Sequence, residues 1–220
     1  MRITHLYHSG VLVELEHHQL LFDYIKGYLP LNHHKPLYVF VSHQHRDHFD
    51  PCIFNIHHPH ITYIFSSSLD HYDQVNYVDV HQTYHFDDIE VHTLFSTDLG
   101  CAFIVYVEGK TIYHAGDLHW WHWQGEPQED NDFQKIHYQK EIDSICDVID
   151  VAFVVVDQRQ EDDYLLGIEY FLKHVQSHYI FPIHYFGDYS ITQRFEKEKL
   201  DNPYQAQIIQ IHHQQESFEI

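Results

Sequence analysis

Residues 41–49 read Val-Ser-His-Gln-His-Arg-Asp-His-Phe, so His43, His45, Asp47 and His48 fall within six positions directly after an apolar run. Imidazole nitrogens and carboxylate oxygens are the donor atoms of zinc, manganese and iron sites. Two residues apart on extended backbone, His43 and His45 point the same way and can share one ion. Asp47 and His48 lie beyond a turn and can serve a second ion, with paired ions typically ~3.5–4 Å apart. The rival explanation is composition, because the chain has 25 histidines in 220 residues. At that density chance alone yields roughly three His-x-His matches, so this short pattern is uninformative. The full His-x-His-x-Asp-His pattern is expected by chance only about 0.03 times. Composition does not explain it.

Two further residues stand directly after apolar runs. "TIYHAGD" delivers Asp117 after Gly116, and "YIFPIH" delivers His184. Taken alone, Asp117 reads as a turn residue and His184 as a core or surface histidine. Layered α/β structures gather sites at strand ends, and three such deliveries can converge there.

The positioning elements follow from periodicity. "RITHLYH", "GVLVELE" and "KPLYVFVS" read as strands, as do the two arms of "LEHHQLLFDY", joined by a turn at His17-His18. Pro51 restarts the chain at a short helix. "ITYIFSSS" and "IEVHTLFS" are further strands, and "CAFIVYVEGKTIYHAG" is a hairpin turning at Glu108-Gly109-Lys110. Phe133, Ile136, Ile142, Ile145 and Ile149 recur at helical spacing, with Asp130 or Asp132 as candidate caps. "DVAFVVVD" reads as a buried strand, "YLLGIEYFLKHVQSH" as an amphipathic helix and "YIFPIH" as a strand. A polar segment from Gly187 to Tyr204, helical in part, leads to a closing strand in "QAQIIQIH". With no repeat or linker, residues 1–220 read as one α/β domain of sheets layered with helices.

Composition bounds the partners. The formal charge is −21, from 33 acidic residues against 12 Lys and Arg. Nucleic acid and anionic membranes need basic patches, so both are disfavoured, whereas a small anionic substrate can be met by a bound cation. No apolar run approaches a membrane span. Cys52, Cys101 and Cys146 form no close pair and read as reduced thiols of a cytoplasmic protein. A homo-oligomer stays open. The scattered pairs His17-His18, His33-His34, His57-His58 and His212-His213 read as a compositional substitute for lysine, with metal buffering as the rival.

The series HxHxDH, AGD and PxH resembles the metallo-β-lactamase superfamily. "HSG" near the start, "STDLGCAF", "IYHAGDLHWWHW", "VVVDQR" and "FPIHYFGDY" are more narrowly similar to a branch of metal-dependent hydrolases near the L-ascorbate-6-phosphate lactonase type. The resemblance runs from about residue 2 to about 190. It implies a four-layer αββα sandwich holding two divalent ions, zinc first, with manganese or iron as alternatives. His43 and His45 would bind the first ion, Asp47, His48 and His184 the second, and Asp117 would bridge. Asp47 would also orient the metal-bound water that attacks an ester, lactone or phosphodiester.

One motif departs from that pattern. Counting back from Phe103 puts Ser96 where the superfamily carries its middle histidine, and His92 lies within a strand-like run. Asp98 is the candidate replacement ligand, with His119 as another; otherwise the first ion is weak or absent. Trp120, Trp121 and Trp123 follow Asp117 and form either a core cluster or a pocket wall, with Trp120 and His119 the candidate substrate contacts. Arg159 either pairs with Glu161 or Asp163 at the surface or clamps a substrate anion with its planar fork. Asp157 is a candidate to orient a ligand from behind. The function expected is a metal-dependent hydrolase of small substrates. The rivals are a nuclease of the same superfamily and a non-catalytic histidine-rich protein that binds or senses metal.

Overall fold

The computed structural model describes residues 1–195 and 197–220. Its organisation starts from strand alternation. β1 (Arg2–Tyr7), β2 (Gly10–Glu14), β3 (Gln19–Phe22) and β4 (Leu37–Val41) open the chain. Val11, Val13, Leu20, Phe22, Tyr38 and Phe40 turn to one face, and Leu12, Leu21, Leu37, Val39 and Val41 to the other. Successive side chains point to opposite faces of a strand. Both sets are apolar here, so this sheet must be covered on both sides. β5 (Ile61–Ser66) and β6 (Val75–Val78) extend it, and β3 to β6 run parallel.

β7 (Thr83–Phe86), β8 (Ile89–Phe95), β9 (Cys101–Val107) and β10 (Lys110–His114) form an antiparallel meander. The β9–β10 turn lies at Glu108 and Gly109, both with positive φ (51° and 68°), which suits the right-handed twist of a two-residue hairpin. β11 (Ile149–Val155), β12 (Ser177–Ile183) and the short β13 (Gln207–Ile208) add parallel to β10 and complete the second sheet. β14 (Glu216–Glu219) returns to the first sheet and pairs antiparallel with β1. The two seven-stranded sheets face each other. Phe22 is the centre of the layer between them, with ring centroids 4.7 Å from Phe40, 6.4 Å from Phe103 and 6.3 Å from Phe153.

The outer layers are unequal. α1 (Gln128–Asp143) and α2 (Leu166–His174) cover the second sheet, and the Phe171 ring stacks on Tyr113 of β10 at 5.3 Å. The outer face of the first sheet is covered by Phe49, Leu69 and Ile53 of the 3-10 turn Pro51–Asn55, the short helix expected after Pro51. The mixed α/β sandwich is as expected, but no α-helix lies over that face among the described residues.

Three local expectations change. α1 begins after Pro127, whose φ of −53° and ψ of 142° start the helix without a side-chain cap. Asp130 and Asp132 therefore lie inside the helix; Asp130 sits in its first turn, where a negative charge favours the free N–H groups. The buried stripe is also rotated: Asn131, Tyr138, Glu141 and Ile142 turn inward, while Phe133 and Ile136 are 47% and 60% exposed. Glu141 earns its buried place by accepting from Phe95 N (3.0 Å) and contacting His81 Nε2 (2.9 Å). Between Gly187 and Tyr204 the helical part is α3 (Ser190–Arg194), and Glu196 lies outside the described residues. The last strand, β14, lies beyond the expected "QAQIIQIH", which supplies only β13.

Candidate metal centre

Each residue of the centre lies just beyond the end of a strand. His8 follows β1, Asp23 follows β3, His43 follows β4, Asp98 follows β8, Asp117 follows β10, Asp157 follows β11 and His184 follows β12. Two glycines let these loops meet. A Cβ on Gly100 would stand 1.9 Å from Ser42 O, and one on Gly116 would stand 2.6 Å from Ser42 Cβ. Both glycines have positive φ, so the loops carrying Asp98 and Asp117 close on the His43 segment only without side chains there. His8, Asp23 and His184 also hold positive φ (54°, 41° and 73°), a costly conformation for non-glycine residues that clusters at functional sites.

Two groups of donor atoms result, each within 4.8 Å: His43, His45, Asp98 and Asp117, and beside it His8, Asp47, His48 and His184. Asp117 faces both. Its Oδ2 is 3.5 Å from His43 Nε2, and its Oδ1 is 3.0 Å from His48 Nε2 and 3.3 Å from His184 Nε2. Asp98 Oδ2 is 3.2 Å from His45 Nδ1. The residues predicted as ligands, Asp98 included, are thus brought together.

The hydrogen bonds behind the imidazoles decide which nitrogens are free. Ser42 has one hydroxyl proton and donates it to Asp23 Oδ2 (2.7 Å), so it accepts from His43 Nδ1 (2.9 Å). His48 Nδ1 donates to Asp23 Oδ2 (2.8 Å), and His184 Nδ1 donates to Asp157 Oδ2 (3.0 Å). In the neutral form of each ring the lone pair is therefore on Nε2, the nitrogen left to face a ligand. The Nε2 atoms of His43, His48 and His184, together with Asp117 Oδ1, are buried without a hydrogen-bond partner. Buried polar atoms left unpaired are costly, and several converging on one point fit a cation. The donor set is that of a divalent metal, supported from behind by carboxylates as metal-binding histidines usually are.

Electrostatics agree. Burial opposes charge on His48, yet the Asp117 charge and the bond to Asp23 hold its pKa well above the ordinary histidine value. His184 is raised likewise, against burial, by Asp117 and Asp157. Asp117 is held well below the carboxylate range despite burial, by the His48 and His184 charges. The surroundings of both rings thus favour positive charge at the place where an ion would sit. Burial instead lowers His43 to about 4, leaving it neutral and ready to ligate. Asp98 is raised by burial and by the Asp117 charge, a repulsion that a cation between the two would relieve.

A cavity of about 250 Å³ opens over the centre, lined by His45, Asp47, Asp98, Asp117, His184, Trp121, Trp123, Gln134 and Arg159. Trp121 and Trp123 stack at 5.8 Å, and Trp121 Nε1 donates to Asp117 O (3.2 Å). Arg159 Nε donates to both oxygens of Asp157 (2.9 Å each), and its guanidinium lies 4.7 Å from the Phe186 ring. Its partner is therefore Asp157, not Glu161 or Asp163.

No family model and no curated protein matches the chain. Solved structures do. A candidate metal-dependent hydrolase from Parabacteroides distasonis superposes with a TM-score of 0.65 at 17% identity, covering 96% of this chain and 93% of that one. Igni18, a metallo hydrolase from the archaeon Ignicoccus hospitalis, gives 0.63 at 15% identity over 100% of both chains. The metallo-β-lactamase fold protein YhfI from Bacillus subtilis gives 0.64 at 13% identity, covering 99% of each. The fold is the metallo-β-lactamase fold.

Within this metallo-β-lactamase fold, two predicted substrate contacts are corrected. His119 is fully buried; its Nε2 is 2.6 Å from Gln160 Oε1, and its ring fills the space beside Gly167, where a Cβ would stand 2.3 Å away. It belongs to neither ligand group, because α2 packs it away from the cavity. Trp120 does not line the cavity either: it turns toward Tyr170, 6.0 Å between centroids, leaving Trp121 and Trp123 as the wall. Ser96 is buried, with its Oγ accepting from Asp98 N at 3.3 Å, and His92 contacts Glu90 away from the centre. The sequence reading missed His8, Asp23 and Gln134. "HSG" places a histidine directly after β1, and "LLFD" has the same strand-then-aspartate form as "VVVD". Gln134 left no signal, because only the docking of α1 brings it over the cavity.

Proposed function

We propose that the protein is a metal-dependent hydrolase of small anionic esters, lactones or phosphodiesters, working with divalent ions, zinc first. The observation carrying this reading is the convergence of three buried Nε2 atoms, none with a hydrogen-bond partner, on the Asp117 carboxylate. His43, His45, Asp98 and Asp117 would hold one ion, and Asp117, Asp47, His48 and His184 the other. Such ions supply a hydroxide nucleophile at neutral pH and polarise the oxygen of the bond attacked. Asp47, partly exposed at the cavity floor, orients the attacking water. Its carboxyl is held below the ordinary range, against burial, by the His8 contact and the His48 charge, so it stays an acceptor.

Specificity comes from the wall and rim. Trp121 and Trp123 offer a flat apolar surface with little polar competition. Arg159, fixed by Asp157, is the one Lys or Arg among the described residues that line the cavity, and it meets an anionic group on the substrate. A volume of about 250 Å³ suits a small molecule better than a polymer. The motifs shared with the lactonase-type branch favour a lactone. The free cysteines Cys52, Cys101 and Cys146 are consistent with work in the cytoplasm, and no described helix is long and apolar enough to cross a membrane.

The test is elemental analysis with turnover of bis(p-nitrophenyl) phosphate, p-nitrophenyl acetate and a simple lactone by wild type and Asp47→Ala. Metal-dependent turnover lost in Asp47→Ala supports the reading. Stoichiometric metal with no turnover of any probe favours a metal-binding protein instead. Arg159→Ala should raise KM for the anionic phosphodiester about 10–100-fold and leave the neutral acetate unchanged, since a charge-assisted contact contributes ~1.5–3 kcal/mol.

A further inference from the structure

His8 stands among the ligands of the more buried group, yet its hydrogen bonds set it apart from them. Its backbone and ring are tied to the loop after β12: His8 O accepts from His184 N (3.3 Å), and His8 Nδ1 accepts from Phe186 N (3.1 Å). The ring is clamped between His184 and Phe186, with centroids 4.1 and 4.0 Å away. A nitrogen that accepts carries no proton, so the single ring proton of His8 is on Nε2. That is the reverse of His43, His48 and His184, in which Nδ1 donates to a neighbouring oxygen. His8 Nε2 is buried, has no other partner, and faces Asp47 Oδ2 at 3.4 Å. The contact is longer than an ordinary hydrogen bond, as such contacts often are before substrate binds.

We propose that His8 is a positioning residue and not a metal ligand: it donates its Nε2 proton to Asp47 Oδ2 and fixes that carboxylate for the water it orients. This rests on the reading of Asp47 given above. By holding one Asp47 oxygen, His8 leaves the other to face the cavity. It also couples Asp47 to the Phe186 loop, against which Arg159 packs.

The experiment uses three readouts on the metal-loaded protein. Side-chain ¹⁵N NMR of wild type, with the His8 signal assigned by its loss in His8→Gln, should show a protonated Nε2 and a bare Nδ1. Metal content should be unchanged in His8→Gln and His8→Asn, whereas His184→Ala loses metal. Gln places an amide N–H near the Nε2 position, and Asn places an acceptor near Nδ1. Turnover of bis(p-nitrophenyl) phosphate should therefore fall about 10–100-fold in kcat for His8→Asn, with KM within about twofold, and recover largely in His8→Gln. A bare, metal-shifted Nε2 in wild type, metal loss in both variants, or Asn rescuing better than Gln overturns the role of His8. Undiminished turnover in Asp47→Ala would instead overturn the reading of Asp47.

Discussion

On one side of Asp117, His48 and His184 are buried and each is tied through Nδ1 to a buried carboxylate, Asp23 or Asp157. On the other side, the side chains of His45 and Asp98 are 50% and 43% exposed and contact each other at 3.2 Å. Only His43 on that side has a buried support, through Ser42 to Asp23. The difference separates a rigid half, whose ligands are aimed before any ion arrives, from a half that solvent reaches. Preorganised ligands lose little freedom on binding, and buried charges attract a cation through a lower dielectric. The half near His184 should bind its ion more tightly, and the half near His45 should exchange it.

The largest effect should come from Asp117→Asn, which faces both halves. Metal content after dialysis should fall in both, by more than the ~100-fold in affinity that loss of a supporting partner costs. Retention of one full equivalent would show that Asp117 serves a single half. Asp157→Asn should weaken only the rigid half, by about 10–100-fold in chelator competition, since Asp157 contacts His184 and not the other ligands. Asp98→Ala should weaken only the exposed half, by roughly tenfold, because water can replace an exposed carboxylate where the dielectric is high. Unchanged metal content in Asp98→Ala would remove it from the ligand set.

The smallest effect is a pH dependence that also distinguishes the halves. His48 and His184 are raised, so an ion must displace their protons, and affinity for the rigid half should climb as pH rises toward those values. His43, lowered to about 4, is already neutral and adds no such slope near neutrality. The metal-free fold has the opposite linkage. His48 contributes stability below the ordinary histidine value of 6.5 that is lost as pH rises past its raised pKa. Asp117 contributes stability above the ordinary carboxylate value of 3.8 that is lost as pH falls. Melting temperature of the chelated protein against pH checks both signs.

Much of the fold was legible because its signals are local. The hairpin at Glu108-Gly109, the buried run before His43 and the apolar run before His184 are complete within a few residues. The strands Val75–Val78 and Thr83–Phe86 were not legible, since both are only four residues long and largely half exposed, too short for alternation to stand out. α1 misled because its apolar residues at 133 and 136 face solvent, while Asn131 and Glu141 are buried and satisfied by distant partners. Patterning assumes that polarity and burial agree, and in α1 tertiary hydrogen bonds override that assumption.

By itself the sequence determined the donor atoms. His43, His45, Asp47 and His48 share one short segment, and their spacing after a strand constrains where they can point whatever surrounds them. It also determined the two glycines, Gly100 and Gly116, without which the neighbouring loops could not approach Ser42. Only the tertiary structure decided which nitrogen of each imidazole is free, because that depends on partners far away in sequence: Asp23 behind His48, Asp157 behind His184 and Phe186 N against His8. A histidine looks the same in every sequence. Which of its nitrogens is tied up is settled by its neighbours in space, and that separates the three rings that donate through Nδ1 and turn Nε2 to Asp117 from His8, which accepts at Nδ1 and turns Nε2 to Asp47.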